Sequence, residues 1–90
     1  MSLNTKQVTV GTAAINVLSQ IEKPMHVLLH NAEKSSNEFI WFGGSADVTT
    51  TTGAHLDDSE TYQIILFAGS QLWAITDANT KNLHVMWQVL

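Results

Sequence analysis

The chain is expected to fold as an all-β protein, a small β-sandwich or jelly-roll-like barrel of about seven or eight antiparallel strands. Three observations lead there. Short runs rich in β-branched and aromatic residues recur along the chain, with polar and apolar positions alternating in several of them. Turn-forming clusters separate these runs every 8–12 residues or so. Helical spacing of apolar residues competes with alternation in only one window, residues 13–20.

Taken in order, residues 7–10 alternate with Val8 and Val10 on one face and read as an edge strand, preceded by a flexible tail over residues 1–6. Gly11 breaks it. Residues 13–20 fit both periods: Ile15 and Val17 alternate, whereas Ala14, Ile15, Leu18 and Ile21 keep helical spacing, with Thr12 as a cap and Pro24 as a stop. The clear strands on either side tip the reading to strand. Pro24 opens Met25-His26-Val27-Leu28-Leu29-His30, apolar on both faces and so expected to be a central or interface strand. The polar residues 31–37 are expected to close a hairpin to the aromatic strand at 38–42, where Phe39 and Trp41 oppose Ile40 and Phe42.

Gly43-Gly44 is expected to turn that strand through the positive φ values open to glycine. The four threonines at 49–52 disfavour a helix and read as extended. Asp57-Asp58-Ser59 is a turn, residues 60–67 and 72–76 are strands about the Ala68-Gly69-Ser70-Gln71 turn, and residues 83–90 close the chain. In that last strand Leu83, Val85, Trp87 and Val89 point inward while His84, Met86, Gln88 and Leu90 point outward. Neither a repeat nor a linker interrupts residues 1–90, which read as one domain.

Ninety residues support a modest core. With 44% of residues hydrophobic and 13% charged, the chain carries more apolar surface than such a core hides, which favours self-association or a docked partner. Four lysines, no arginine and eight acidic residues give a net charge of −4. Without the guanidinium fork, nucleic acid is a poor partner, and an anionic membrane is no better. The absence of cysteine removes disulfides and thiolate metal sites. The start of the chain shows no cationic segment followed by an apolar run, and no apolar run approaches the roughly 20 residues of a membrane helix.

The residue types that carry chemistry do not assemble into a catalytic pattern. His26 and His30 sit on one predicted strand, about 13 Å apart along its axis, too far to share an ion without a third element such as His55 or His84. Asp57, Asp58 and Glu60 lack the spacing of a calcium loop. Gly44-Ser45 and Gly69-Ser70 lack a nucleophile elbow and a base. The expectation is a non-enzymatic protein with no catalytic residue, cofactor or metal. Trp41, Trp73 and Trp87 fit a core or subunit interface, with a sugar-stacking platform as the alternative.

Several segments, taken in order, resemble the small β-sandwich structural proteins of tailed-bacteriophage particles, the capsid-decoration and head-fibre type. These are Val27-Leu28-Leu29-His30-Asn31, Ile40-Trp41-Phe42-Gly43-Gly44, Asp47-Val48-Thr49 with Gly53 and Leu56, Asp58-Ser59-Glu60 leading to Tyr62 and Ile64, Leu72-Trp73-Ala74-Ile75, and His84-Val85-Met86-Trp87. The resemblance spans about residues 23–89. It departs at Asp57-Asp58-Ser59, where the family commonly has Gly before Glu, and at Lys23, which stands alone for a more basic segment. It implies a structural subunit made in the host cytoplasm and incorporated in the virion, partnered by itself, often as a trimer, and by other virion proteins. No family catalytic residue carries over. On this reading the self-contact is expected among Trp41, Phe42, Met86 and Leu90, with residues 31–37 and 49–52 at the tips. The alternatives are a carbohydrate-binding, host-attachment module or another head–tail or tail component.

Overall fold

The computed structural model describes residues 3–19 and 21–90, and Gln20 of the ambiguous window lies outside them. Eight strands form: β1 (Leu3–Val10), β2 (Ile15–Leu18), β3 (Met25–Asn31), β4 (Ile40–Gly43), β5 (Ala54–Leu56), β6 (Thr61–Leu66), β7 (Leu72–Ile75) and β8 (Lys81–Val89). They make two four-stranded sheets, ordered β1-β8-β3-β6 and β2-β7-β4-β5, with every pairing antiparallel. This is the jelly-roll order. Among consecutive strands only β4 and β5 pair with each other; every other connection crosses from one sheet to the other.

Period-two alternation delivers the core. The first sheet turns Val10, Met25, Val27, Leu29, Leu66, Leu83 and Val85 inward, and the second answers with Val17, Leu18, Ile40, Phe42, Leu56, Leu72 and Ala74. Val27, Leu29, Ile40, Ala74 and Leu83 are wholly enclosed. Strand β3 is central, between β8 and β6, as its apolar run implied. Within the ambiguous window Ile15–Leu18 is strand, with a register shift between Asn16 and Leu18 against β7.

Four expectations are corrected. Residues 3–6 are not a tail, because Leu3 already pairs with Gln88 and Lys6 with Val85. Residues 31–37 close no hairpin, since β3 and β4 belong to different sheets. Gly43 and Gly44 do not take positive φ; among the described residues that backbone occurs at Gly69, Asn37, Ser59 and Asn79. The threonines at 49–52 are coiled rather than extended. Gly53 N donates to Thr49 O at 2.9 Å, the amides of Thr51 and Thr52 donate to Thr49 Oγ1, and Thr49 N donates to Thr52 Oγ1. Reciprocal side-chain capping satisfies the turn's amides, and local hydrogen bonding overrides the β preference of threonine.

Lys81 enters β8 on the inward parity and is only 3% exposed. Its ammonium reaches Asp77 at 3.0 Å and Glu38 at 3.5 Å. The hydrogen bond from Lys81 holds the Asp77 carboxyl below the usual aspartate range, with desolvation opposing it. A depressed carboxylate stabilises the fold at neutral pH and loses that contribution as pH falls through its folded-state value. Asp77 is half exposed, so solvent screens the pair and the contribution is small. Lys81→Met is expected to lie within about 1 kcal/mol of the wild type in urea melts at pH 7, because an apolar chain of similar volume removes the burial cost along with the pair. It should also lose less stability than the wild type on acidification.

Candidate functional site

The outward face of the first sheet is built from the second half of each strand's alternation: Leu3, Thr5 and Gln7 of β1, His84, Met86 and Gln88 of β8, His26, Leu28 and His30 of β3, and Thr61, Gln63 and Ile65 of β6. Strand register stacks these into transverse rows about 14 Å wide. One row is Gln7–His84–His30–Thr61. Every neighbouring pair in it is in contact: Gln7 Oε1 lies 3.1 Å from His84 Nε2, the two rings stand 6.1 Å apart between centroids, and His30 Nδ1 lies 2.9 Å from Thr61 Oγ1. The next row, Thr5–Met86–Leu28–Gln63, is apolar at its centre. The two rows, Gln63 excepted, line an open groove of about 610 Å³.

One end of the same sheet is oily. Leu3 begins β1, Leu90 follows β8, Ile65 is next to last in β6 and Phe67 follows that strand; their exposures are 59%, 65%, 49% and 64%, and the register sets Gln88 and His26 between Leu3 and Ile65. Leu90 N donates to Pro24 O, so the end of β8 is tied beside the start of β3. Four large apolar side chains left open around one sheet end are the most conspicuous unsatisfied feature of the surface.

The second sheet presents a different outward face. Trp41 of β4 is opposite His55 of β5 and Ile75 of β7. Phe39, Trp41 and His55 pack ring on ring, with centroids 5.6 to 6.1 Å apart. His55 Nε2 lies 3.0 Å from Asp57 Oδ1. Trp73 is half-buried and donates its indole N–H to Gln71 Oε1 at 2.9 Å.

These placements divide the four expected interface residues. Met86 and Leu90 are on the outward side of the first sheet, and Trp41 is on the outward side of the second. Phe42 is turned into the core, 7% exposed and stacked near Tyr62, so it offers no docking surface. The expectation of one patch made by all four is therefore corrected: alternation within β4 puts Trp41 and its neighbour on opposite faces. Leu3, Ile65 and Phe67, not singled out by the sequence reading, join Leu90 because β1, β8, β3 and β6 are neighbours. Trp87 points inward at the open end of the sandwich, with Lys6 Nζ 5.7 Å above its ring. Ser45 Oγ accepts from Asp47 N, a turn contact and not a nucleophile's.

No protein-family model matches the chain, and no curated protein does. Among solved structures, a chain described under "Bacillus endospore appendages form a novel family of disulfide-linked pili" superposes with a TM-score of 0.61 at 6% identity, covering 99% of this chain and 86% of that one. That likeness is one of fold. Among the described residues no group of three or more His, Cys, Asp or Glu is placed to hold a metal ion, and no helix is long and apolar enough to cross a membrane.

Proposed function

We propose that the chain is a non-enzymatic structural subunit that works by association with copies of itself inside a larger particle, and that the particle is a phage virion, where the subunit decorates the capsid. The observation that carries the first part is the exposed quartet Leu3, Ile65, Phe67 and Leu90 at one end of the first sheet. Burying it against a second copy returns about 25 cal/mol for each Å² removed from water, before the costs of association. A stable contact needs about 800 Å² from each partner, a modest part of the 5233 Å² this chain exposes. Trimers and contacts with other virion proteins follow from the phage resemblance. The fold-level likeness to a pilus subunit supports a self-assembling role, and with no cysteine in this chain copies of it are not linked by disulfides.

Sedimentation of the untagged chain at tens of micromolar tests this. The wild type is expected to run as an oligomer. Ile65→Asp combined with Phe67→Asp should run as a monomer with an unchanged far-ultraviolet spectrum, because both side chains are about half exposed or more and lie outside the core. A monomeric wild type would end the proposal.

A second reading is favoured by the Phe39–Trp41–His55 ring cluster and the half-buried Trp73 on the other sheet: a carbohydrate platform used in host attachment. It requires tryptophan fluorescence to change on adding oligosaccharide, with Trp41→Ala abolishing the change.

A further inference from the structure

We propose that His30 and His84 together bind one divalent transition-metal ion, of the zinc, nickel or copper type, on the outward face of the first sheet. The two residues occupy directly opposed positions on adjacent antiparallel strands, and both rings rise from the same face. This is the third element that the four-residue spacing of His26 and His30 could not supply: the partner of His30 comes from β8, not from β3.

The hydrogen bonds engage one nitrogen of each ring. Gln7 Nε2 donates to Asn82 Oδ1 at 3.2 Å, so the amide turns its oxygen toward His84. His84 Nε2, 3.1 Å from that oxygen, is therefore the protonated nitrogen, and Nδ1 keeps its lone pair. The Asn82 backbone is held in turn, its N–H donating to Glu33 Oε2 at 2.8 Å. On the other flank His30 Nδ1 meets Thr61 Oγ1 at 2.9 Å. With Nδ1–H donating to the hydroxyl, Nε2 of His30 is the free nitrogen. Each ring thus spends one nitrogen on the strand to its outside, β1 for His84 and β6 for His30. A ring N–H anchored to an oxygen acceptor is the arrangement that orients metal-ligating histidines.

The separation fits. With metal–nitrogen bonds of about 2.0–2.1 Å, two imidazoles on one ion have centroids about 5 Å apart at a tetrahedral angle and about 6.4 Å apart when opposed. The observed 6.1 Å lies between these limits, nearer the opposed arrangement. The groove is open, leaving the remaining positions to water, and Leu28 and Met86 are among the residues that line it. Among the described residues no carboxylate lines it. A purely nitrogen donor set selects borderline ions over magnesium or calcium. The site is complete in one chain, so it stands or falls separately from self-association.

Calorimetric titration of the untagged chain with zinc chloride and with nickel chloride at about pH 7.5 tests it, alongside imidazole nitrogen–proton correlation spectra. One ion per chain is expected, with the resonances of His30 and His84 moving and those of His26 and His55 still. His30→Ala and His84→Ala should each weaken binding at least tenfold, and Gln7→Leu about tenfold through the lost anchor. All three side chains face outward, so circular dichroism should be unchanged; His30→Gln and His84→Gln serve as second variants that keep a polar side chain on the row. His26→Ala and His55→Ala should bind as the wild type does. Absence of binding would overturn the assignment, as would binding that survives His30→Ala or depends on His26 or His55.

Discussion

Asn31→Ala is expected to cost about 3–5 kcal/mol, a large share of what a domain of this size has, because it strands three backbone groups at once. Asn31 is fully buried. Its Nδ2 donates to Glu38 O at 2.6 Å and to Leu56 O at 3.1 Å, and its Oδ1 accepts from Glu33 N at 3.0 Å. It stands at the end of β3 in one sheet, while Glu38 precedes β4 and Leu56 ends β5 in the other. One side chain therefore replaces the ladder that neither sheet can provide where the chain crosses over. Two further variants separate this role from simple filling of space. Asn31→Leu restores volume but no donor, and should melt in urea near Asn31→Ala. Asn31→Asp keeps the acceptor for Glu33 and turns a carboxylate toward two carbonyl oxygens, so it should be at least as unstable at neutral pH. A leucine variant as stable as the wild type would refute the clamp.

Asn31 also shows what the sequence reveals and what it hides. The polar stretch from 31 to 37 reads as a solvated loop, and most of it is. Yet Met25, Val27, Leu29 and Asn31 share one parity, and following the alternation one step further places the amide in the core. Lys81 was hidden in the same way, two residues ahead of Leu83 on the inward face. In both cases residue type argued for the surface and periodicity for the interior, and periodicity won because each side chain had fixed partners waiting.

Strand positions and inward faces were legible because alternation is a local property. Pairing was not, because alternation says which way a side chain points and nothing about which strand lies beside it. Hence the first sheet could not be assembled by reading: Leu3 and Phe67, 64 positions apart, come to one end only because β8 and β3 lie between them. The histidine row was invisible for the same reason. His30 and His84 are each unremarkable on their own strand, and their meeting is a fact of register. The interface expectation failed at Phe42 within a single strand, where the alternation already in hand separates it from Trp41.

The glycines around Val48 carry the second large effect. Val48 is buried in the connection between β4 and β5, and it lies against both Gly43 and Gly53. A methyl group on Gly43 would stand 2.8 Å from Val48 Cγ2 and 3.1 Å from its Cβ. One on Gly53 would stand 2.9 Å from Val48 Cγ2, 3.0 Å from Phe42 O and 3.1 Å from Thr49 O. Neither glycine has a positive φ, so alanine is disfavoured by space and not by backbone conformation. The two positions then differ in a testable way. At Gly43 only Val48 stands in the way, a β-branched side chain with little rotameric freedom. Gly43→Ala should cost about 1–3 kcal/mol alone, as overpacking does, and Val48→Ala should relieve most of the added strain, giving a coupling of about 1 kcal/mol or more in the double-mutant cycle. At Gly53 two backbone oxygens close the space as well. Gly53→Ala should cost about 2–4 kcal/mol, and Val48→Ala should recover little of it. Equal rescue at both positions, or none at either, would show that Val48 is not what keeps these two residues without a side chain.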